Sequence, residues 1–285
     1  AGAVPPEEFV DLDHLLHEMR LFKSAKELAL MRKAGAISAR AHCRAMRAVR
    51  PGLYEYQLQA ELEHAFASEG ARHPAYGSIV GGGANACVLH YVENSAPLQD
   101  GDLVLIDAGC EYQHYAADIT RTFPVNGRFS APQQALYEVV LAAQLAAIDA
   151  VRVGSHWDEP HKATVRVITE GLVELGLLKG KVEDLIAGNA YTQFYMHRAG
   201  HWLGMDVHDV GDYKIDGEWR TLEPGMVMTV EPGIYVAPDN RKVAKKWRGI
   251  GIRIEDDVAI TRKGPEVLTA GVPKTVADIE HLMAS

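Results

Sequence analysis

The chain of 285 residues has room for one large domain or two of ordinary size. With 47% hydrophobic and 24% charged residues it has a normal soluble globular composition, and its net charge of −9 argues against a polyanion such as nucleic acid as partner. No apolar run of ~18 residues and no signal-peptide pattern is visible, so membrane and secreted readings have no support. Cys43, Cys87 and Cys110 are scattered without metal or disulfide spacing, which points to the reducing cytoplasm.

Residues 1–20 read as a lead-in to the fold, and the start at Ala1 rather than Met is that of a processed chain or a fragment. Ser24-Ala-Lys-Glu27 is a capping-box pattern that predicts a long helix ending at Arg50-Pro51-Gly52. A second helical pattern runs from about Tyr54 to Ala67, followed by β-like runs around Ile79, Val88–Tyr91, Leu103–Asp107 and Ala116–Phe123. Gly81-Gly-Gly83-Ala-Asn-Ala86 nominally fits the dinucleotide glycine pattern, but strand-like residues follow where that motif needs a helix. It reads instead as a loop with unusual backbone angles. Ser130-Ala-Pro-Gln133 caps a helix to about Val151, and another spans Pro160 to Leu177. Strands are expected near Val227–Glu231, Ile234–Val236 and Ile250–Ile260. Helices then strands, twice over, predict one α+β domain over 21–285 with the sheet inside and helices outside.

The two halves share a segment. Leu98-Gln-Asp-Gly101 to Asp107-Ala-Gly109 and Leu222-Glu-Pro-Gly225 to Glu231-Pro-Gly233 lie 124 positions apart (222 minus 98). In each, a Gly turn launches a short apolar strand that stops at an acid. A carboxylate beside buried apolar residues is costly unless a cation meets it, so the repeat predicts two acids at one central cation.

Further candidates surround them. A two-residue turn at Tyr112-Gln113 would set Asp107 directly opposite Asp118, with Cβ atoms ~5 Å apart, again calling for a cation. In Gly249-Ile-Gly-Ile-Arg-Ile-Glu-Asp-Asp257, Ile250, Ile252 and Ile254 face one side and Arg253, Glu255 and Asp257 the other. Arg and Glu two apart on a strand can hold a substrate carboxylate and a metal. His197, His201 and His208 fall within twelve residues. The i,i+4 pair is not the helical zinc motif, because Arg198 stands in the Glu position and Gly200 weakens a helix. One metal ligand and one or two polar site residues are expected among them, and His90 reads as a strand residue that could join. Asp107, Asp118, Glu231, Glu255 and one His would balance two divalent ions. Oxygen-rich ligation suits Mn²⁺ or a similar ion, in the paired arrangement that activates water for hydrolysis.

These stretches resemble the pita-bread metallopeptidases, and within them the Xaa-Pro aminopeptidases. The resemblance runs from about residue 20 to the C-terminus. It is carried by Leu105-Ile-Asp107-Ala-Gly-Cys-Glu-Tyr, by Asp118-Ile-Thr-Arg-Thr-Phe-Pro-Val-Asn-Gly, by His201-Trp-Leu-Gly-Met-Asp-Val-His208-Asp-Val-Gly, and by the Glu231 and Glu255 segments. It implies a curved antiparallel sheet in two pseudo-symmetric halves with outer helices, and Asp107, Asp118, His201, Glu231 and Glu255 as ligands of two ions. Mn²⁺ is the expected ion, with Zn²⁺ or Co²⁺ as alternatives. It further implies that a hydroxide bridging the ions cleaves the bond before a proline in second position. His90, His197, Tyr235 and Arg253 would line the proline and downstream pocket, and His208 would hydrogen-bond the scissile carbonyl. Glu231, His208 and His90 form the expected catalytic group, Glu231 also shuttling the proton to the leaving nitrogen. Members usually carry Gly where Arg198 follows His197, and full-length members have a further N-terminal domain that builds a homo-oligomer and part of the substrate site. Prolidase, methionine aminopeptidase and a non-catalytic binding protein are the alternative readings on this fold.

Overall fold

The structure is a computed structural model that describes residue 2 and residues 7–285. The opening of the expected lead-in, residues 1 and 3–6, lies outside the described residues; its remainder includes helix α1 (Asp13–Leu21). Helices α2 (Ala25–Ala48) and α3 (Glu55–Ser68) precede strands β1 (His73–Pro74), β2 (Ile79–Gly82), β3 (Leu103–Asp107), β4 (Cys110–Tyr112), β5 (Tyr115–Ala116) and β6 (Thr120–Pro124). The second half begins with α4 (Ala131–Ala150), α5 (Glu159–Glu174) and the short α6 (Val182–Ala187). It continues through β7 (Lys214–Ile215), β8 (Glu218–Trp219), β9 (Val227–Val230), β10 (Gly233–Val236), β11 (Ile250–Arg253), β12 (Asp256–Thr261) and β13 (Gly264–Val267), and closes with α7 (Val276–Met283).

Both capping patterns start helices. The Ser24 N–H donates to Glu27 Oε2 at 2.7 Å, and the Ser130 N–H to Gln133 Oε1 at 2.9 Å. Each half then lays a helix pair, α2 with α3 or α4 with α5, against antiparallel strands. The repeated segment behaves alike in both halves: Gly101 (φ +86°) and Gly225 (φ +98°) make left-handed turns that L side chains resist. Strands β3 and β9 follow, and Asp107 and Glu231 stand at or just past their ends. The main core gathers Ile37, Leu58, Val104, Phe123, Leu136 and Ile252 between helices and sheet.

Three local expectations are corrected. Val88–Tyr91 is not a strand: a 3₁₀ turn over Gly83–Cys87 carries the chain into bends there, so His90 sits in a turn. The tight turn falls at Gln113-His114 (φ +49° and +70°), not Tyr112-Gln113, with Tyr112 paired to Tyr115. The register therefore shifts by two: Asp107 faces Thr120, and Asp118 lies diagonally on the same face. Finally, the Ile250–Ile260 run is two strands broken at Ile254-Glu255. Of the expected glycine loop, Gly81 and Gly82 lie in β2 and only Gly83 takes a positive φ, +53°.

The break at Ile254-Glu255 is where the halves join. Glu255 N–H donates to Thr120 O at 3.0 Å, Arg121 Nη1 to Glu255 O at 2.6 Å, and Thr122 Oγ1 to Arg253 O at 3.0 Å. Underneath, Asp256 is fully buried and accepts from Arg121, Lys274, Gln144 and Thr269, a buried charge that is both paired and hydrogen-bonded.

Candidate metal centre

Four strand ends converge between the halves. β3 delivers Asp107, the loop before β6 delivers Asp118, β9 leads into Glu231, and the β11–β12 break presents Glu255. Val230 pairs with Asp256, so continuing the register by one residue sets Glu231 opposite Glu255. A carbonyl crosses each ligand loop closely. A Cβ on Gly109 would lie 1.7 Å from Ala117 O, and one on Gly200 2.0 Å from Thr229 O. No side chain fits at either point, which fixes glycine beside Asp107 and just before His201.

Asp118, His201 and Glu255 offer ligand atoms that all lie within 4.8 Å of one another. His201 Nε2 is 3.4 Å from Asp118 Oδ2 and 3.7 Å from Glu231 Oε1. Its Nδ1 lies 2.9 Å from Trp202 O, the partner that holds a proton on Nδ1 and turns Nε2 toward the acids. Asp107 adjoins through Tyr76, whose hydroxyl is 2.6 Å from Asp107 Oδ1 and also meets Asp118 Oδ1. A phenol has one proton to give. One of those two oxygen–oxygen contacts thus needs a further proton or a cation.

The electrostatics say the same. Burial pushes the Glu255 carboxyl well above the usual range, and the charges of Asp118, Glu231 and Asp107 push further. Burial holds Glu231 up to about 7 and also raises Asp107. Burial works likewise on Asp118, but the His201 hydrogen bond and charge, the Tyr76 hydrogen bond and the Arg253 charge together outweigh it and keep Asp118 low. Burial also opposes charge on His201, yet Asp118 and Glu231 lift the imidazole to about 9. Four acids crowded around one imidazole, whose Nε2 proton a metal ion would replace, fit a divalent-metal site.

Of the remaining expected residues, His90, His197, His208 and Arg253 line one cleft of about 780 Å³, whereas Tyr235 is buried against His197 and Arg253 and does not reach its lining. His197 Nε2 meets Tyr235 Oη at 2.9 Å, and its Nδ1 lies 3.7 Å from Glu231 Oε2. Burial, then the Arg253 charge, lowers His197 to about 4, so its ring is neutral near pH 7. His208 stands edge-on to His201 with ring centroids 4.4 Å apart, and His90 reaches the same cleft from its turn. Arg253 is tied to the centre itself, donating to Asp107 Oδ2 at 2.6 Å, to Thr120 Oγ1 at 3.1 Å and to Tyr235 Oη at 3.1 Å. Asp257, expected on the same face as Glu255, accepts the Asp118 backbone N–H and sits behind the acids. Tyr76 and Thr120, which donates to Glu255 Oε2 at 2.6 Å, were not anticipated. Nothing in the local sequence of either marks it.

Comparison with known proteins places these features in context. The model of metallopeptidase family M24 matches residues 29–262. The Xaa-Pro aminopeptidase of Escherichia coli (strain K12) is 54% identical over 280 residues, covering 98% of this chain and 63% of that protein. The human Xaa-Pro dipeptidase is 41% identical over 300 residues, covering 94% of this chain and 61% of the relative. The solved structure of Pseudomonas aeruginosa aminopeptidase PepP superposes with a TM-score of 0.98 at 69% identity, covering 99% of this chain and 64% of that one. The chain thus spans a little under two thirds of the length of these relatives. Since the matched stretch contains both copies of the repeated segment and all five acid and imidazole groups between them, the chain belongs to metallopeptidase family M24 and has its pita-bread fold.

Proposed function

We propose that the chain carries the catalytic centre of an Xaa-Pro aminopeptidase, which releases the N-terminal residue of a peptide whose second residue is proline. The observation that supports this most is the convergence of Asp107, Asp118, His201, Glu231 and Glu255 at one buried point beside a cleft. Those five side chains would hold two divalent ions, and their oxygen-rich chemistry favours Mn²⁺. When bound, the ions supply Lewis-acid chemistry, acidifying water and polarising a carbonyl.

The chain's own residues do the rest. Glu231 takes a proton from the attacking water on its carboxylate and returns it to the proline nitrogen, which must be protonated to leave. His208 donates to the scissile carbonyl oxygen as charge builds there. His197 and His90 line the wall against which the proline ring rests, and the buried Tyr235 holds His197 from behind. Arg253 holds Asp107 in place and offers the same wall a fixed positive charge. The acidic centre accommodates the free α-amine, which limits cleavage to the first bond.

The reading takes the cytoplasm as the compartment, with three free cysteines in support, and a homo-oligomer as the full-length assembly. Release of the first residue from an Xaa-Pro-Xaa tripeptide, with and without added Mn²⁺, is the test. Mn²⁺-dependent release is expected, with Xaa-Pro dipeptides and Met-Ala-Ser cleaved poorly. Preference for the dipeptide would instead make the protein a prolidase, and preference for Met-Ala-Ser a methionine aminopeptidase.

A further inference from the structure

The mouth of the cleft has a feature that the metal chemistry does not use. Asp216 (φ +52°) and Gly217 (φ +86°) form a tight turn with both residues left-handed, the geometry that suits a two-residue hairpin. The turn pairs β7 with β8 so that Lys214 sits directly across from Trp219. Lys214 Nζ lies 4.4 Å from the centre of the indole ring. From the loop after His197, Arg198 brings its guanidinium to 4.8 Å from the same ring. The Trp219 carbonyl lies 3.0 Å from His156 Nδ1, which ties the strand to the body of the protein.

Arg198, Lys214 and Trp219 all line the cleft that leads to the acids. Among the described residues neither cation has a salt bridge within 4.0 Å. In a chain of net charge −9, two unpaired cations held on one aromatic ring at the entrance of an acid-floored cleft form a local reversal of sign. Stacking on an indole restrains a guanidinium or ammonium while leaving its N–H donors free. The rim is therefore partly organised in advance for an anion.

We propose that Arg198 and Lys214, steadied by Trp219, bind a carboxylate on the leaving side of the substrate. On this assignment the site favours short peptides with a free C-terminus, and longer ones with Asp or Glu after the proline. This rests on the aminopeptidase reading of the centre. A substrate cut after its first residue carries an ammonium upstream, which the rim repels and the acids attract. The cation-lined wall thus falls to the segment beyond the proline, whose one obligatory anion is the terminal carboxylate. Arg198 is also the position where the chain departs from the glycine usual in the resembling family, so the preference is a property of this chain's own residues.

The test measures binding, which does not depend on turnover. Pro-Leu, Pro-Leu amide and Pro-Glu amide are titrated calorimetrically into Mn²⁺-loaded protein, with the wild type compared with the double variant Arg198→Met, Lys214→Met. For the wild type, Pro-Leu is expected to bind about tenfold tighter than its amide, a partly exposed charged hydrogen-bonded contact. Pro-Glu amide should recover part of the difference if a side-chain carboxylate can serve. The preference should fall to near unity in the double variant and in ~0.5 M salt, where the screening length is a few ångströms. Arg198→Lys should retain most of it. Equal binding of Pro-Leu and its amide to the wild type, no binding of either, or a preference unchanged in the double variant would each overturn the rim assignment. Tripeptide release with Mn²⁺ reports separately on the aminopeptidase reading, so the two can fail independently.

Discussion

At the scale of single residues, the centre depends on side chains that are absent as much as on those present. Gly200 is the clearest case, because its position puts any Cβ 2.0 Å from the Thr229 carbonyl. The same loop is pinned on its other side, where the His201 N–H donates to Thr229 Oγ1 at 3.1 Å. Gly200→Ala must push the loop off β9 and carry the His201 imidazole with it. We expect a stability loss of about 1–3 kcal/mol, as for other overpacked sites, and Mn²⁺ binding weakened at least tenfold. Urea unfolding and calorimetric titration of Mn²⁺ would check both; unchanged metal affinity would show that the loop can yield without moving His201. His42 makes a second residue-scale case. Its fully buried Nε2 is 2.9 Å from Ala108 O, next to Asp107, and burial lowers the ring to about 4. The folded state holds His42 neutral, whereas the unfolded chain protonates it near 6.5. The unfolded state therefore binds more protons between those values, so this contribution is complete above about pH 6.5 and falls by ~1.4 kcal/mol per pH unit towards pH 4. His42→Gln keeps an N–H donor but cannot titrate. The stability difference between pH 6.5 and 5 should shrink in the variant, as read by urea unfolding at both values, and an unchanged difference would refute the assignment.

At the scale of elements, what the sequence disclosed depended on whether the signal was local. Capping boxes at Ser24 and Ser130 start α2 and α4 because their hydrogen bonds close within four residues. The Leu98–Gly109 and Leu222–Gly233 copies were legible because a turn glycine, an apolar strand and an acid follow one another without a gap. The register of Asp107 was not. It depends on which residues adopt positive φ in a turn lacking glycine, and Gln113-His114 do so without a compositional mark. Nor could alternation locate the break at Ile254-Glu255, which is made by Thr120 and Arg121 of the other half. Asp216-Gly217 carries a standard hairpin signal, but the strands it joins are only two residues long and leave no alternation beside it. Tyr76 reaches the acids from the stretch between β1 and β2, a position that only tertiary structure assigns. The role of α2 gives this scale its own prediction. Ser38 accepts the Cys110 N–H at 3.0 Å and His42 meets Ala108, so the helix buttresses the loop after Asp107 from one side. Removing its cap with Ser24→Ala should cost about 1 kcal/mol in urea unfolding while leaving turnover per folded molecule unchanged, because the buttress lies several turns from the cap. A fall in kcat at full folding would mean that the cap also sets the position of α2 against the loop.

At the scale of the whole molecule, the two halves meet across their own negative charge. Asp107 and Asp118 belong to the first half, His201, Glu231 and Glu255 to the second, and burial leaves them little water to disperse the repulsion. Polar bridges hold the seam on either side of the acids. Arg253 crosses to Asp107, Thr120 crosses to Glu255, and the Asp118 N–H crosses to Asp257. Each places a donor from one half against an acceptor of the other, so the seam is held in register before any cation arrives. The acids themselves oppose it. Divalent ions at the centre should therefore act as a clamp between halves as well as a reactive group, binding the folded state and not the separated one. Chelation is expected to lower the unfolding midpoint. Added Mn²⁺ should restore it with a stability gain that grows with the logarithm of concentration, about 2.7 kcal/mol at a hundred times Kd. Glu255→Gln removes an acid that must either repel its neighbours or take up a proton, and one ligand with it. In metal-free protein it should match or exceed the wild type in stability, while losing most of the gain from Mn²⁺. Thermal unfolding of both proteins with chelator and across a Mn²⁺ series separates these effects. A wild type indifferent to Mn²⁺, or a metal-free variant clearly weaker than the wild type, would show that the seam is held by its hydrogen bonds alone and that the acids cost it nothing.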